Sequence, residues 1–472
     1  METGWTRSLL LAVTMLLAPG SLFALGPHEL LVLYNTESAG SVRVAREFAA
    51  ARQVPGSNLV GLELPRKATE SPSTISRRVF TRLIWEPATL AVAERGIGDH
   101  ILAWVYSVDF PIRIEGNPPI SIQGLTFLRD VPPGPEEART GTYASPLFGG
   151  PDSRGWEGHH SQSFDVLADW LRDDMPLPSM MLGYVGERGN EPREVLECVR
   201  RGVSSDGTYP TGTVYFVTGD DVRARCRQWQ YPLVARELGT MGVKAVVGPD
   251  FPEGATDVLG LMAGAAFVRP GRCKSYLPGA MAEHLTSAAA VFHNPHQTKL
   301  TAWIRAGATA SAGTVTEPRS IWSKFPNARF FVHYAAGCCM MESFYQSVRC
   351  PLQILIVGEP LARPWGAGGR LVLDGIEESR GTTGLDIRAR VESDSPGRFG
   401  RFLFLLDGKT AKRGTDASLE ADCSGLTDGQ HTLRAVAYGT GLVRHQVFAV
   451  ARFEVRDGRI VDGAGDDEGD RE

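Results

Sequence analysis

From Glu29 to Tyr34 the chain is almost continuously apolar, then stops at the polar turn Asn35-Thr36-Glu37-Ser38. In the segment that follows, Val42, Val44, Ala45, Phe48 and Ala49 fall mainly on one face of a 3.6-residue period, up to Pro55. That spacing predicts a helix, and "NLVGLELP" predicts a second strand after it. Strand, helix and strand at this spacing predict a parallel sheet with right-handed crossovers. His100 to Ile114 is a long apolar run of the kind central strands carry, with Asp109 and Arg113 near its end. The stretch from Gly116 to about Ser163, rich in Pro, Gly and charge, predicts a long insertion or surface loop. "SMMLGYVG", "TVYFVTG" and "KAVVGPD" predict further strands, separated by helices over 192–201 and 231–241. The fold class is therefore α/β, with a largely parallel sheet of six or more strands flanked by helices.

Past Trp365 the period changes. "GAGG" at 366–369 predicts a linker, after which apolar positions alternate: Leu433, Ala435 and Ala437 in one run, Val447, Ala449, Ala451 and Phe453 in the next. Asp407-Gly408 and Asp428-Gly429 supply turn signals. Residues 370–456 are expected to form a small all-β sandwich.

The two ends carry separate signals. Arg7, the apolar run Leu9–Leu17 and the small residue Ala24 predict a signal peptide over residues 1–24, too short to span a bilayer. The expected residence is secreted or periplasmic, with no transmembrane segment once the signal is cleaved. Of the formal charge of −5, residues 459–472 hold −4, six acids against Arg459 and Arg471, so 457–472 is expected to be a solvated acidic tail. With about −1 left for everything else and no basic stripe, nucleic-acid binding has no electrostatic footprint. Seven cysteines leave at least one thiol unpaired in a monomer. A disulfide among Cys338, Cys339 and Cys350 fits their closeness in sequence, with small buried thiols as the competing reading.

The segment from Tyr276 to Trp365 contains "YLPGAMAEHLTSAAA", "AWIRAGATASAGTVTEP", "AAGCCMMESFYQSV" and "LQILIVGEPLARPW". It resembles a family of exported bacterial proteins in which Pro-Gly-Ala-x-Ala is followed by Gly-Ala-x-x-x-x-Gly-x-Val-x-Glu-Pro and a closing Gly-Asp/Glu-Pro-Leu-x-x-Pro. The resemblance covers nearly all of 28–365. That family is in turn distantly similar to gingipain-type cysteine peptidases, whose domain has the caspase-like fold. The C-terminal part resembles immunoglobulin-like or fibronectin-III-like modules, mostly through "DGQHTLRAVAYG". The resemblance implies a base supplied after one strand and a nucleophilic cysteine after the next, a thiolate activated by an imidazole within hydrogen-bond reach. The matched loops depart from this: the first reads Arg269-Pro270-Gly271, and the second holds His284, Thr286 and Ser287 but no cysteine.

In an open parallel sheet a site lies beyond the carboxyl ends of the strands. Asp109, Arg113, the segment Arg269 to Lys274, Glu283 to Ser287 and Glu317 are the candidates by that rule. Ser287 as nucleophile with His284 as base would sit three residues apart on a helix, weighed against a plain polar turn. Glu317, just before Pro318, either orients a ligand or caps a turn. Glu359-Pro360 reads as a rigid structural turn, and Cys338 or Cys339 beside His333 as core thiols ahead of a nucleophile. The pairs His293/His296 and His159/His160 read as loop residues rather than metal ligands, and no cofactor or phosphate-binding motif is present. The expected function is an exported, peptidase-like domain that has lost its Cys-His dyad and binds or scaffolds a protein or peptide. The alternative is a hydrolase using Ser287 or a cysteine.

Overall fold

The computed structural model describes residues 24–149, 160–366, 369–392 and 399–461. Nearly all of the signal segment, His159, residues 367 and 368 of the linker and the acidic tail from 462 on lie outside them.

Thirteen strands precede the C-terminal region: β1 (Leu30–Asn35), β2 (Leu59–Leu62), β3 (Thr74–Ile75), β4 (Ala103–Tyr106), β5 (Arg113–Ile114), β6 (Ile120–Ser121), β7 (Ser179–Met181), β8 (Thr213–Val217), β9 (Lys244–Gly248), β10 (Val258–Gly264), β11 (Tyr276–Leu285), β12 (Ala310–Thr314) and β13 (Ile354–Gly358). Ten of them form one sheet in the order β2-β1-β4-β7-β13-β12-β11-β10-β8-β9. The sheet is mostly parallel, with β12 and β13 antiparallel. Helices cover both faces. Along β1, Leu30 and Val32 enter the core on one side while Leu31 and Leu33 enter the core on the other. Burial on both faces is why this strand reads as an unbroken apolar run rather than an alternating one.

The loop after β7 touches the loop after β11: Tyr184 stacks on Phe292 at 3.8 Å, and Arg188 Nη1 donates to the Phe292 carbonyl at 2.8 Å. The carboxyl ends from both halves of the sheet thus meet along one edge.

Three expectations need correction. The run His100–Ile114 is two elements: β4 ends at Tyr106, Asp109 turns the chain with φ +57°, and β5 joins a separate small sheet in the order β3-β5-β6. The stretch after Gly116 is not a surface loop throughout. The helix Ile122–Phe127 is buried along its whole length, and Gln123 exchanges side-chain hydrogen bonds with the backbone of Ile356 at 2.8 and 2.7 Å. Finally, Glu283 and His284 lie on strand β11 and not on a helix.

The C-terminal region is a sandwich of two antiparallel sheets. Its strands are β14 (Arg370–Asp374), β15 (Gly384–Glu392), β16 (Phe399–Leu406), β17 (Lys409–Gly414), β18 (Ser418–Asp422), β19 (Gly429–Gly439), β20 (Gln446–Arg456) and β21 (Arg459–Val461). The sheets are ordered β14-β15-β18 and β17-β16-β19-β20-β21. Asp407-Gly408 turns β16 into β17 with both residues at positive φ, the geometry two-residue hairpins require. Asp457-Gly458 does the same between β20 and β21, so ordered strand continues past 456 into what reads by charge as tail.

The sandwich is bonded to the α/β part through buried polar groups. Gln446 Nε2 donates to Glu29 Oε2 and to the Ala24 carbonyl, both at 2.9 Å, and His28 Nε2 meets the Tyr438 hydroxyl at 2.9 Å. Arg444 reaches Asp165 at 2.8 Å and Asp169 at 3.0 Å.

Candidate functional site

Gly264 at the end of β10 pairs with Leu285 at the end of β11, so the two loops expected to carry base and nucleophile leave the sheet side by side. Residues 297–299 lace them together. Thr298 donates its N–H to the Ala266 carbonyl at 3.1 Å, donates its hydroxyl to the Val268 carbonyl and accepts from the Val268 N–H, both at 3.0 Å. Gln297 Oε1 accepts from the Thr286 hydroxyl at 2.7 Å and the Ala288 N–H at 2.8 Å. Lys299 Nζ donates to the carbonyls of Ala288 and His296, at 2.8 and 2.7 Å, and burial pushes its pKa down to about 8. Arg269 is exposed in the loop after β10, whereas Lys274 is exposed at the opposite, amino end of these strands, its N–H donating to the Ala255 carbonyl at 2.8 Å.

Successive strand residues face opposite sides. Glu283 therefore enters one core, where its carboxylate pairs with Arg227 Nη2 at 2.5 Å, while His284 enters the other beside Trp303. Arg227 is anchored further by the carbonyls of Pro326 and Ala263, at 3.1 and 2.7 Å. Burial pushes the Glu283 carboxyl up to about 7. The indole N–H of Trp303 donates to His284 Nδ1 at 3.0 Å, and burial pushes the imidazole down to about 3. An indole can only donate, so Nδ1 is the unprotonated nitrogen and the neutral ring carries its hydrogen on Nε2. No lone pair is left to take a proton from Ser287, which is half-buried in the turn after β11.

Glu317 is exposed, and its Oε1 accepts from the Arg319 N–H at 2.8 Å, holding a turn in which Arg319 has φ +60°. Glu359 is fully buried and bonded by Arg52 Nε at 2.9 Å and Nη2 at 2.5 Å. None of the seven cysteines is in a disulfide, the 338/339/350 group included. The Cys338 Sγ lies 3.5 Å from both the Gln162 carbonyl and Gln346 Nε2, and His333 Nδ1 meets the Ser161 hydroxyl at 2.8 Å. Burial pushes the thiols of Cys338 and Cys339 well up, opposite to what a thiolate nucleophile needs.

The open site lies elsewhere on the same edge. A crevice of about 1150 Å³ sits beyond the carboxyl ends of β2, β1 and β4, where β1 has neighbours on both sides and the chain order reverses. Asn35, at the end of β1, accepts from the N–H groups of Glu37 and Leu64 at 3.1 and 3.3 Å and donates to the Asp109 carbonyl at 3.3 Å, pinning three loops. Ser38 accepts from the Ser41 N–H at 3.1 Å, capping the helix Ala39–Arg52, and donates to Asp109 Oδ2 at 2.5 Å. The charged lining is Glu37, Glu63, Glu70, Asp109 and Glu187 against Arg66 and Arg82. Hydrogen bonds from Ser71, at 2.9 Å, and from Arg188 hold Glu187 below the usual carboxylate range. Neither histidine nor cysteine lines the crevice.

Of the sequence candidates, Asp109 alone lines it. Arg113 is half-buried on β5 with Nε on the Thr74 hydroxyl at 2.8 Å. The exposed His293 lies close enough to Arg113, Glu187 and Arg188 to feel their charges, although burial contributes most to lowering its pKa. Asn35, Ser38 and Glu63 are the lining residues that pattern reading misses. For Asn35 and Ser38 the signal is the polar turn at the end of the apolar strand β1.

Among the described residues, no three His, Cys, Asp or Glu side chains gather as a metal set, and no helix is long and apolar enough to cross a membrane. No family model matches the chain, and no curated protein matches it. Among solved structures it is similar to the fibronectin(III)-like modules of Clostridium thermocellum CbhA, at 21% identity over 22% of this chain and 53% of that one, with a TM-score of 0.16. The match spans about half of that chain's length, and a score of this size carries no structural argument.

Proposed function

We propose that this is an exported binding protein: a domain of gingipain-like, caspase-like ancestry that has lost its dyad and holds a peptide or protein segment in the crevice beyond β2, β1 and β4. The observation that carries this reading is the Trp303–His284 hydrogen bond, which occupies the one nitrogen through which the imidazole nearest the expected dyad could act as a base. The crevice has the volume of a ligand site, and its five carboxylates against two guanidinium groups favour a segment rich in Lys or Arg. Exposed carboxylates attract such a ligand through a field that salt screens, so affinity should fall as ionic strength rises.

The test is fluorescence anisotropy of a labelled oligolysine peptide, with oligoglutamate as control, titrated with the full chain and with the Glu63→Lys/Glu70→Lys variant. The expected result is saturable binding of oligolysine only, weakened at least tenfold in the variant. Equal affinity for both peptides, or an unchanged affinity in the variant, would remove the crevice from the account.

A further inference from the structure

The strand β2 is an outer strand of the ten-stranded sheet, and among the described residues no strand takes its free side. Which of its backbone groups face outward follows from the bonds its other groups make. The Leu62 carbonyl accepts from the Thr36 N–H at 2.9 Å and the Leu64 N–H donates to Asn35 Oδ1 at 3.3 Å, so both point towards β1. A trans peptide sets its N–H opposite its C=O, which turns the N–H and the carbonyl of Glu63 away from β1. Two residues earlier in the same parallel ladder, Gly61 has the same phase. Further back on this side, Arg95 Nη1 donates to the carbonyls of Ser57 and Leu59, both at 2.7 Å, so a guanidinium covers the start of the edge.

The covered part ends where the crevice begins. Gly61 and Glu63 are exposed and both line it. Gly61 has no side chain, so its main chain is what lines the crevice. A Cβ there would come within 2.8 Å of Thr36 Cγ2 and 2.9 Å of the Tyr34 ring, and this packing keeps the backbone bare. No described residue bonds to the outward groups of Gly61 or Glu63. Open edges invite other strands, and short length, charge and proline limit which ones. β2 is four residues long, Glu63 adds a charge and Pro65 ends the run of outward donors. Such an edge turns away a long apolar strand and admits one short segment whose charge answers Glu63 and the other carboxylates of the crevice.

We propose that the crevice takes its ligand as an added strand: an extended Lys- or Arg-rich segment lies along β2 and exchanges main-chain hydrogen bonds with Gly61 and Glu63. This mode rests on the crevice being the binding site, and makes the ligand's backbone part of what is recognised. In strand addition the ladder supplies affinity and the flanking side chains supply selectivity. A helical segment has its N–H groups spent within the helix and cannot form the ladder.

The experiment uses the full chain, a labelled oligolysine peptide, and the same peptide methylated at every backbone nitrogen, which keeps the charge and removes the donors. The methylated peptide should bind at least tenfold more weakly than oligolysine. On saturation with oligolysine, the fast-exchanging amides among residues 60–64 should slow at least tenfold in hydrogen exchange read by mass spectrometry. Glu63→Ala removes a carboxylate, whereas Glu63→Pro removes the carboxylate and the N–H. The proline variant should therefore bind oligolysine about tenfold more weakly than the alanine variant, with circular dichroism checking that each folds. If oligolysine does not bind at all, the crevice reading and the added strand fall together. If it binds but the methylated peptide binds as tightly, or exchange over 60–64 is unchanged, the crevice reading stands and the added strand is overturned. Equal affinities of the two Glu63 variants would overturn it as well.

Discussion

Trp303 donates its indole N–H to Nδ1 of His284 at 3.0 Å inside the core between β11 and the helix Thr301–Ala306. The contact fixes the tautomer of a buried imidazole, and with it the chemistry this strand end can perform. Trp303→Phe keeps most of the shape and removes the donor. Leaving a buried acceptor unsatisfied should cost about 1–3 kcal/mol, measured by urea denaturation. A loss near zero would mean that the hydrogen bond does not hold the imidazole.

The same histidine gives the protein an acid-sensitive term. Its folded-state pKa, pushed down by burial to about 3, lies below the ordinary histidine value, so folding favours the neutral ring. The stability it contributes is present above the unfolded-state pKa of about 6.5 and drains away as pH falls from there towards the folded-state value, a change on the order of 4 kcal/mol over the window. His284→Gln keeps an acceptor for Trp303 and has no proton to gain. Unfolding free energies at pH 7 and pH 4 should show a smaller acid loss in the variant than in the parent, and equal losses would refute the assignment.

On the opposite face of β11, Arg227 and Glu283 form a buried pair. Removing one partner strands the other charge in the core, and Arg227→Met should cost about 3–5 kcal/mol. Replacing both, as Arg227→Met/Glu283→Leu, should recover much of that loss. A double variant as unstable as the sum of the singles would show that the two groups act independently.

Gln446 ties the sandwich to the start of the α/β part through Glu29 and the Ala24 carbonyl. Gln446→Ala should cost about 1–3 kcal/mol, because the buried Ala24 carbonyl loses its donor and Glu29 Oε2 keeps only the Gly26 N–H. If the sandwich were a loosely attached module, the substitution would leave the melting temperature unchanged.

Much of the architecture is legible in the chain because its physical cause is local. β1 is buried on both sides, so it must be apolar throughout, and the sandwich strands alternate because each has one core face. The strand β11 is not legible in this way. Glu283 and His284 break its apolar run, and the groups that make them tolerable, Arg227 and Trp303, arrive from distant elements. Read alone, "AEHLTSAAA" therefore suggests a polar helix turn. The crevice is hidden for a related reason. Asn35, Ser38, Glu63 and Asp109 come from three different strand ends, and only the sheet order β2-β1-β4 brings them together.

Binding without hydrolysis is most directly tested by incubating the full chain and its Ser287→Ala and Cys338→Ala variants with a quenched-fluorescence peptide library and measuring the rate of release. The account predicts a rate for the parent chain equal to that of buffer alone and unchanged in either variant. A saturable rate abolished by Ser287→Ala or by Cys338→Ala would contradict it.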